Sequence, residues 1–237
     1  MTYTVSDIHG CYDKYRELLE KINFGSEDTL YVLGDVIDRG SAGFRILLDM
    51  ESRPNIVNLL GNHEAMAIDA LPGLLRCIDE GKDTLTAEEA DAAELWFCNG
   101  GELSLADLLW LYEDEAQRVI DYMNSMPLYK EVEVGGQKFI LVHGGLRDFS
   151  ESRPLTDYAP EEILWCRPEL DTVYYPDDYV VFGHTPVKML CDGSGDEEDA
   201  AAKIFHNGKA IDIDCGCVFP RGQLGCLCLD TMEEVYV

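Results

Sequence analysis

Positive charge is scarce in this sequence of 237 residues. Lysine and arginine together number 18, against 46 aspartates and glutamates, and the formal net charge is −28 at pH 7. Proteins that bind the phosphate backbone of long nucleic acids need clustered lysines and arginines. We therefore expect no nucleic-acid polymer as a partner, and we attribute most of the negative charge to solubility. A phosphate-bearing substrate would have to be attracted by bound cations or by a few well-placed arginines.

Long apolar segments are also missing. No run of residues approaches the length of about 20 that a membrane-spanning helix requires. The first residues, Met1 to Val5, lack the basic start and the apolar stretch of a signal peptide, and they enter a predicted strand directly. We predict a cytoplasmic protein with no membrane partner. The length and the hydrophobic fraction of 46% suit one domain over residues 1–237.

The nine cysteines form no compact disulfide pattern, and without an export signal we expect reduced thiols. The tightest arrangement is a pair of Cys-x-Cys sequences on segments that resemble the arms of a hairpin. These residues are Cys215, Cys217, Cys226 and Cys228. Alternate residues on a strand share a face, so the four thiols either surround a zinc ion or fill the core. The spacing is not that of a zinc knuckle or ribbon, which favours the core.

Five short apolar runs end at clusters of metal-binding or acid–base residues. The clusters are Asp7-Ile8-His9-Gly10, Gly34-Asp35-Val36-Ile37-Asp38-Arg39-Gly40, Gly61-Asn62-His63-Glu64, His143-Gly144-Gly145 and Gly183-His184-Thr185. A continuous apolar run bounded by glycine is typical of a strand that is buried on both faces. Open α/β sheets bind their ligands at the carboxyl ends of such strands. The pattern therefore predicts that five clusters converge on one site of a metalloenzyme.

Hydrophobic periodicity divides the chain into three parts. Residues 1–65 alternate predicted strands with amphipathic helices, which indicates βαβ units and a parallel sheet. Residues from about 64 to 126 contain no strand-like run, and we predict a helical insertion beside the site. From Leu128 onward strands are predicted at 129–134, 137–142, 209–215, 223–230 and 232–237. The acidic, glycine-containing segment 192–199 is predicted to be a solvent-exposed loop.

Six residues of the clusters are types that bind divalent metals. They are Asp7, His9, Asp35, Asn62, His143 and His184. A mixture of carboxylate, imidazole and amide ligands suits Mn²⁺, Fe²⁺ or Zn²⁺. The set is too large for one tetrahedral site, but it suits two ions about 3.5–4 Å apart that share a carboxylate and a water. Two such ions generate hydroxide near neutral pH and align a phosphoryl oxygen with it, so the predicted reaction is phosphoester hydrolysis.

Four further residues can assist this reaction. Arg39 and Arg167 can bind phosphate oxygens through bidentate guanidinium groups, although an isolated arginine such as Arg167 is more typical of a plain surface residue. His63 can protonate the leaving group as a general acid, with Asp38 fixing its tautomer and raising its pKa. The fifth histidine, His206, belongs to no motif and is predicted to be structural.

In this order the five clusters resemble the signature blocks of the PPP family of serine/threonine phosphatases, within the calcineurin-like metallophosphoesterases. The likeness extends from residue 6 to about 216, and its most specific block is Gly34 to Gly40. The resemblance implies an α/β sandwich of two packed mixed β-sheets flanked by helices. It also implies the ligands of two ions, namely Asp7, His9 and Asp35 for the first, and the bridging Asp35 with Asn62, His143 and His184 for the second.

The resemblance assigns the remaining roles as well. His63 and Asp38 would form the acid dyad, and Arg39 would bind phosphate beside Asn62. Arg167 lies in a segment, Leu164 to Pro168, that is similar to the one where the family supplies its second phosphate-binding arginine. The segment from Asp212 to Gly216 resembles the shorter ending of bacterial and bacteriophage members. This puts eukaryotic regulatory subunits and toxin sensitivity in doubt.

The substrate implied by the resemblance is a phosphoprotein, with serine, threonine or tyrosine phosphate, or a small phosphoester. The alternative is a hydrolase of dinucleoside polyphosphates that uses the same metals. In the symmetrical hydrolases of that branch the second acidic residue of the Asp-x-x-Asp-Arg-Gly block is typically absent, and Asn-His is followed by Asp. Asp38 and Glu64 therefore favour the phosphatase. An inactive binding scaffold is the least expected function, because the predicted ligands, acid and arginines are all present.

Overall fold

A computed structural model describes residues 1–169, 171–190 and 201–237. The predicted loop at 192–199 lies outside the described residues. The strands are β1 (Thr2–Val5), β2 (Thr29–Val32), β3 (Ile56–Asn58), β4 (Tyr129–Val134), β5 (Gln137–Val142), β6 (Tyr179–Phe182), β7 (Phe205–Asn207), β8 (Ala210–Asp212), β9 (Gly225–Cys228) and β10 (Glu234–Tyr236). The helices are α1 (Tyr12–Lys21), α2 (Gly43–Glu51), α3 (Asn62–Glu80), α4 (Ala87–Cys98), α5 (Gly101–Leu108), α6 (Glu113–Asn124), α7 (Pro160–Leu164) and α8 (Val187–Leu190), with a 3₁₀ helix at Leu155–Asp157.

The first sheet has the strand order β10-β9-β1-β2-β3. Its three N-terminal strands are parallel, as the predicted βαβ units require, with Thr2 opposite Thr29 and Leu30 opposite Ile56. Strand β9 is antiparallel to β1, and β10 is antiparallel to β9. Helix α1 connects β1 to β2 and buries Tyr15 and Leu18, on the face that the apolar spacing predicts.

The second sheet has the order β4-β5-β6-β8-β7. Its first two strands form the predicted hairpin with the predicted bounds. Strands β5, β6 and β8 are parallel, whereas the edge strand β7 is antiparallel to β8. The sequence analysis did not predict β7, because its three residues, Phe205 to Asn207, are too few and too polar to show alternation.

Apolar residues from both sheets pack together in one buried cluster. Leu33 and Leu59 at the ends of β2 and β3 lie in the same cluster as Phe139, Val181 and Ile211 of the second sheet. The other face of the first sheet packs on helices α1, α2 and α3. The other face of the second sheet packs on the segment that includes α7. The predicted fold is therefore confirmed: two mixed sheets pack together and are flanked by helices.

Four helices, α3 to α6, occupy residues 62–124. Helix α3 begins at the third cluster, immediately after Gly61, and buries Met66, Ala67 and Ala70 against the first core cluster. Helix α4 contributes Trp96, which is fully buried. This helical segment is thus anchored at the site end of the first sheet. Among the helices of the described residues, none has the length and apolarity that a bilayer span requires.

The cysteines of the two Cys-x-Cys pairs are buried but not gathered together. Cys217 and Cys226 pack in the first core cluster, and Cys215 packs in the second. Across the described residues, the groups of side chains that are close enough to share a metal ion include none of these cysteines. The structure supports the core interpretation, in which small apolar thiols fill space in the two core clusters.

Candidate metal centre

The five clusters meet at the carboxyl ends of strands from both sheets. Asp7 and His9 follow β1, Asp35 follows β2, and Asn62 begins α3 just after β3. The second sheet supplies His143 after β5 and His184 after β6. All six predicted ligands are buried, with exposed fractions of at most 7%. The structure therefore brings together the six residues that the strand-end pattern predicted.

The backbone at these residues adopts an unusual conformation. Six of the ten predicted site residues have left-handed φ angles between 47° and 70°, namely Asp7, His9, Asp35, Asp38, Arg39 and His184. Such angles are uncommon outside glycine and cost free energy. Hydrogen bonds between neighbouring loops hold them, because the amides of Asp7 and His9 donate to the carbonyls of Gly34 (3.2 Å) and Asp35 (3.0 Å). The loops after β1 and β2 consequently form one braced unit.

Glu64 braces the same region from α3. Its buried carboxylate accepts hydrogen bonds from the amides of Asp35 and Val36, each at 2.8 Å, and from those of Ile37 (3.2 Å) and Gly61 (3.1 Å). Burial nevertheless raises the pKa of this carboxyl group. All four donors are backbone groups of the strand-end loops, so Glu64 shapes the site without facing it.

Carbonyl groups fix the orientation of two predicted ligand histidines. Nδ1 of His9 lies 2.9 Å from the carbonyl oxygen of Ile37, and Nδ1 of His143 lies 2.7 Å from that of Leu33. A carbonyl only accepts, so both Nδ1 atoms carry the hydrogen. The Nε2 atoms are left with lone pairs that point into the site, which is the arrangement that a histidine ligand needs.

Acceptor atoms crowd around Nε2 of His143. This nitrogen lies 2.8 Å from Oδ1 of Asn62, 3.4 Å from Oδ1 of Asp35 and 3.2 Å from Nδ1 of His184. Lone pairs at these separations repel each other unless positive charge lies among them. Nε2 of His184 is also buried and has no hydrogen-bond partner among the described residues. These atoms, each with a lone pair to offer as a metal ligand, therefore fit a divalent cation at this position.

Asp35 lies between two groups of ligands. Its Oδ1 faces His143, while its Oδ2 lies 3.8 Å from Nε2 of both His9 and His63. Nε2 of His9 is also 4.0 Å from Oδ1 of Asp7. Among the described residues the potential ion-binding groups are His9, Asp35 and His63, and Asp35, His143 and His184. Asp35 belongs to both, which is the geometry of a carboxylate shared by two ions.

Burial dominates the titration of this carboxylate. It raises the pKa of Asp35 well above the usual range, and the nearby carboxylates of Asp7 and Glu64 raise it further. An uncompensated cluster of buried carboxylates is unfavourable, whereas bound cations reverse both effects. The charges of the site and the types of its ligand atoms thus both favour divalent ions.

The two residues of the predicted acid dyad are in contact. Nδ1 of His63 lies 2.7 Å from Oδ2 of Asp38, and both residues are buried. The helical segment holds this pair: Nε1 of Trp96 donates to both carboxylate oxygens of Asp38, whose own amide donates to Oγ of Ser104. Sequence reasoning missed Trp96 and Ser104. The only signal was that a buried indole N–H needs an acceptor, and the sequence does not reveal which acceptor it finds.

The pKa of His63 moves in the direction opposite to our prediction. Burial, and after it the positive charge of Arg39, lowers the pKa of His63 to about 2. Burial also raises the pKa of Asp38 to about 7. Desolvation disfavours the charged form of each partner, so each shift favours the neutral form of its group while the site holds neither metal nor substrate.

Arg39 lies in the site, as predicted. Its Nη1 is 2.7 Å from Nε2 of His9, and its Nη2 is 2.9 Å from Nε2 of His63. The guanidinium carbon lies 5.9 Å from the ring centre of Phe219. Nε2 of His9 is also a predicted metal ligand, so the guanidinium must turn away from it when an ion binds there. The long side chain of Arg39 is exposed, which permits this movement.

Arg167 reaches the opposite side of the site. It follows α7, and its Nη1 donates to Oγ1 of Thr185 at 3.1 Å and to the carbonyl of His184 at 3.3 Å. Two arginines therefore border the ligand cluster of this acidic protein. His206, in contrast, contacts Glu234 at 2.8 Å and touches none of the site residues.

Two buried aspartates beside the ligands were missed as well. Asp212 and Asp214 are 0% and 3% exposed, and burial raises the pKa of both. The negative charge of Asp7 raises the pKa of each further. Oδ1 of Asp214 accepts from the amide of Gly216 at 2.9 Å. The sequence analysis predicted a strand over 209–215 and noted the segment as a family ending, but it assigned neither aspartate to the site.

The sequence matches the calcineurin-like phosphoesterase family over residues 2–211. It is 27% identical over 235 residues to the symmetrical bis(5'-nucleosyl)-tetraphosphatases of Yersinia pestis (strain Pestoides F) and Yersinia pseudotuberculosis serotype O:1b. That alignment covers 98% of this chain and 69% of each relative.

Solved structures share the fold at lower sequence identity. A candidate diadenosine tetraphosphatase superposes with a TM-score of 0.64 at 20% identity, over 100% of this chain and 92% of the other. A protein serine/threonine phosphatase from Saccharomyces cerevisiae gives a TM-score of 0.57 at 15% identity, over 95% and 71%. These likenesses concern the fold. Because the family match spans most of the sequence and its ligand types meet in one site, the chain belongs to the calcineurin-like phosphoesterases.

Proposed function

We propose that this metal-dependent phosphoesterase hydrolyses dinucleoside polyphosphates. The observation that supports metal-dependent hydrolysis is the position of Asp35, whose two oxygens face separate groups of predicted ligands. The substrate class rests on the relatives, because a likeness along 98% of this chain joins it to enzymes named for that activity. This substrate was the alternative in the sequence analysis, and we now place it before the phosphoprotein.

The chain can hold two divalent ions. Asp7, His9 and Asp35 would bind one, and Asp35 with Asn62, His143 and His184 would bind the other. When bound, such ions supply positive charge for phosphate oxygens and lower the pKa of a water nucleophile. Mn²⁺, Fe²⁺ and Zn²⁺ all suit these ligand types.

Arginines orient the phosphate chain. Arg39 presents two guanidinium N–H groups at the centre of the site, and Arg167 presents another beside His184. A guanidinium group binds two phosphate oxygens at once, which fixes the direction of the scissile bond. In a chain with a net charge of −28, these two side chains also provide the local attraction that a polyanionic substrate needs.

His63 transfers the proton to the leaving group. Its Nδ1 is held by Asp38, so its Nε2 faces the site. Burial is the larger cause of the lowered pKa of His63, and a phosphate that binds to Arg39 offsets the second cause, the positive charge of the guanidinium. A proton held by the pair can then move onto the imidazole and from its Nε2 to the departing oxygen.

The acid dyad favours a second candidate, a phosphoprotein phosphatase. A polyphosphate leaving group is a weak base and departs with little help, whereas the alkoxide of serine or threonine needs a proton. The contact of 2.7 Å between Asp38 and His63 is therefore more valuable for a phosphomonoester. Glu64, which also favoured the phosphatase in the sequence analysis, carries less weight, because its carboxylate is occupied by four backbone amides.

A substrate panel separates the two candidates. We would compare diadenosine tetraphosphate, phosphoserine and phosphothreonine peptides, and para-nitrophenyl phosphate with Mn²⁺-loaded protein. Our proposal expects the highest kcat/KM for the dinucleotide, by at least about tenfold, and two molecules of ADP as products of symmetrical cleavage. A preference for the phosphopeptides would transfer the assignment to the phosphatase. Protein that binds two ions and hydrolyses none of these would be a binding scaffold.

A further inference from the structure

A cavity of about 300 Å³ opens beside the metal centre, between helices α3 and α4 on one side and α7 on the other. Its walls are mainly apolar and include Leu60, Met66, Leu95, Leu164 and Trp165. Leu95 is half exposed at the opening. The cavity has the size and the apolar lining of a small-molecule subsite. None of the roles assigned above to the site residues uses it.

The cavity and the metal centre share a wall. The indole of Trp165 stands edge-on to the imidazole of His184, with ring centres 6.0 Å apart and an angle of 86° between the planes. Leu60 lies two residues before Asn62, and Met66 lies on the same helix as His63. A group bound in the cavity can therefore be joined directly to a phosphate at the metal centre.

Two carboxylates border the apolar walls. Asp69 on α3 and Glu161 on α7 both line the cavity and both are exposed. Neither side chain makes a hydrogen bond or an ion pair with any residue that the structure describes. The described residues that line the cavity include no lysine or arginine. The cavity thus repels phosphate and offers free acceptors to a neutral group that carries N–H donors.

We propose that this cavity binds a nucleobase of the substrate through its N–H donors and distinguishes adenine from hypoxanthine. The proposal rests on the proposed function. A purine is flat and apolar on its faces, which suits the indole of Trp165 and the leucine walls. The 6-amino group of adenine is a donor that Asp69 or Glu161 accepts, whereas the 6-carbonyl group of hypoxanthine is repelled by the same oxygens. The acidic cavity therefore accepts the neutral base and repels the phosphate chain.

The test compares diadenosine with diinosine tetraphosphate. We expect wild-type protein to prefer adenine by about tenfold in kcat/KM, the size of one hydrogen bond to a charged group. In the double variant Asp69→Asn, Glu161→Gln the preference should fall below about threefold, because an amide can also donate to the carbonyl. The matched control is Asp79→Asn, Glu88→Gln, two exposed acids of α3 and α4 that do not line the cavity. It should retain the wild-type preference.

A second measurement keeps this inference separate from the proposed function. AMP and IMP are compared as competitive inhibitors of para-nitrophenyl phosphate hydrolysis. We expect AMP to inhibit the wild-type protein more strongly than IMP, and the double variant to lose this difference. That result supports base binding in the cavity even if dinucleotides are not cleaved. Equal use of both dinucleotides by an active wild-type protein would overturn it. So would a double variant that loses only the hydrolysis of lysine-containing phosphopeptides, which would assign the two carboxylates to a cationic peptide side chain.

Discussion

Nε1 of Trp96 donates to both carboxylate oxygens of Asp38, at 3.0 and 2.9 Å. This one side chain connects the helices that follow the third cluster to the proton-transfer pair of the site. Because Trp96 is fully buried, the position of Asp38 depends on the packing of α4 against the first sheet. The helical segment therefore positions one member of the predicted acid dyad.

Trp96→Phe should weaken the acid dyad. The variant removes a donor that lowers the pKa of Asp38, so this pKa should rise above about 7 and the pH–rate profile should shift upward. The free energy of unfolding should fall by about 1–3 kcal/mol, because a buried acceptor loses its partner. Trp110→Phe is the control, since Trp110 is 88% exposed. Identical pH–rate profiles for Trp96→Phe and wild type would remove Trp96 from this role.

His63→Asn should reduce kcat for para-nitrophenyl phosphate by about 10²–10⁴, the usual contribution of general acid catalysis. The reduction should be smaller for a dinucleoside polyphosphate, whose leaving group needs less protonation. Elemental analysis should find the wild-type metal content. Loss of metal would instead make His63 a ligand, a possibility that its distance of 3.8 Å from Oδ2 of Asp35 makes worth testing.

Asp35→Asn should loosen both ions, because one carboxylate faces both groups of ligands. We expect the metal content to fall below one ion per chain after dialysis against a weak chelator. Asp7→Asn is the comparison, since Oδ1 of Asp7 lies near Nε2 of His9 while its Oδ2 accepts only the backbone amide of His184 from the second group. This variant should cost one ion. An Asp35→Asn protein that keeps two ions would contradict the shared position.

Arg39→Ala should raise both the KM for substrate and the inhibition constant for inorganic phosphate, because two guanidinium donors leave the centre of the site. Arg39→Lys should recover only part of the binding, since a lysine cannot bind two oxygens in a fixed plane. The charge of Arg39 lowers the pKa of His63, so this pKa should rise in the alanine variant. Unchanged KM and phosphate inhibition would place Arg39 outside the phosphate site.

The stability of metal-free protein should depend on pH through Asp38. Its folded-state pKa of about 7 lies above the ordinary value of 3.8, so between these values the folded chain binds more protons than the unfolded chain. Its contribution is therefore present at low pH and is lost as pH rises towards 7, by up to about 1.4 kcal/mol per pH unit. Denaturant unfolding with a chelator present should show that the free energy of unfolding of Asp38→Asn rises relative to that of wild type from pH 4 to 7. Parallel stability curves would mean that Asp38 titrates normally.

Motifs with a local physical cause were predicted well. The hairpin of β4 and β5 follows from two apolar runs around Gly135-Gly136, and its bounds needed no correction. The meeting of the six predicted ligands follows from strand ends, because a buried run that stops at a polar residue defines one end of a sheet. The direction of the His63 pKa was not predictable in the same way, since it depends on how completely the fold removes water from the pair.

The sequence by itself predicted which side chains would meet at the proposed metal centre, since residue types and the ends of apolar runs can be read without coordinates. Only the tertiary structure decided what surrounds them. Trp96 lies 58 residues from Asp38 in the chain, and Asp69 and Glu161 reach one cavity from separate helices. Packing creates such neighbours by burying apolar faces of elements that are distant in sequence, and no local pattern records which faces will meet.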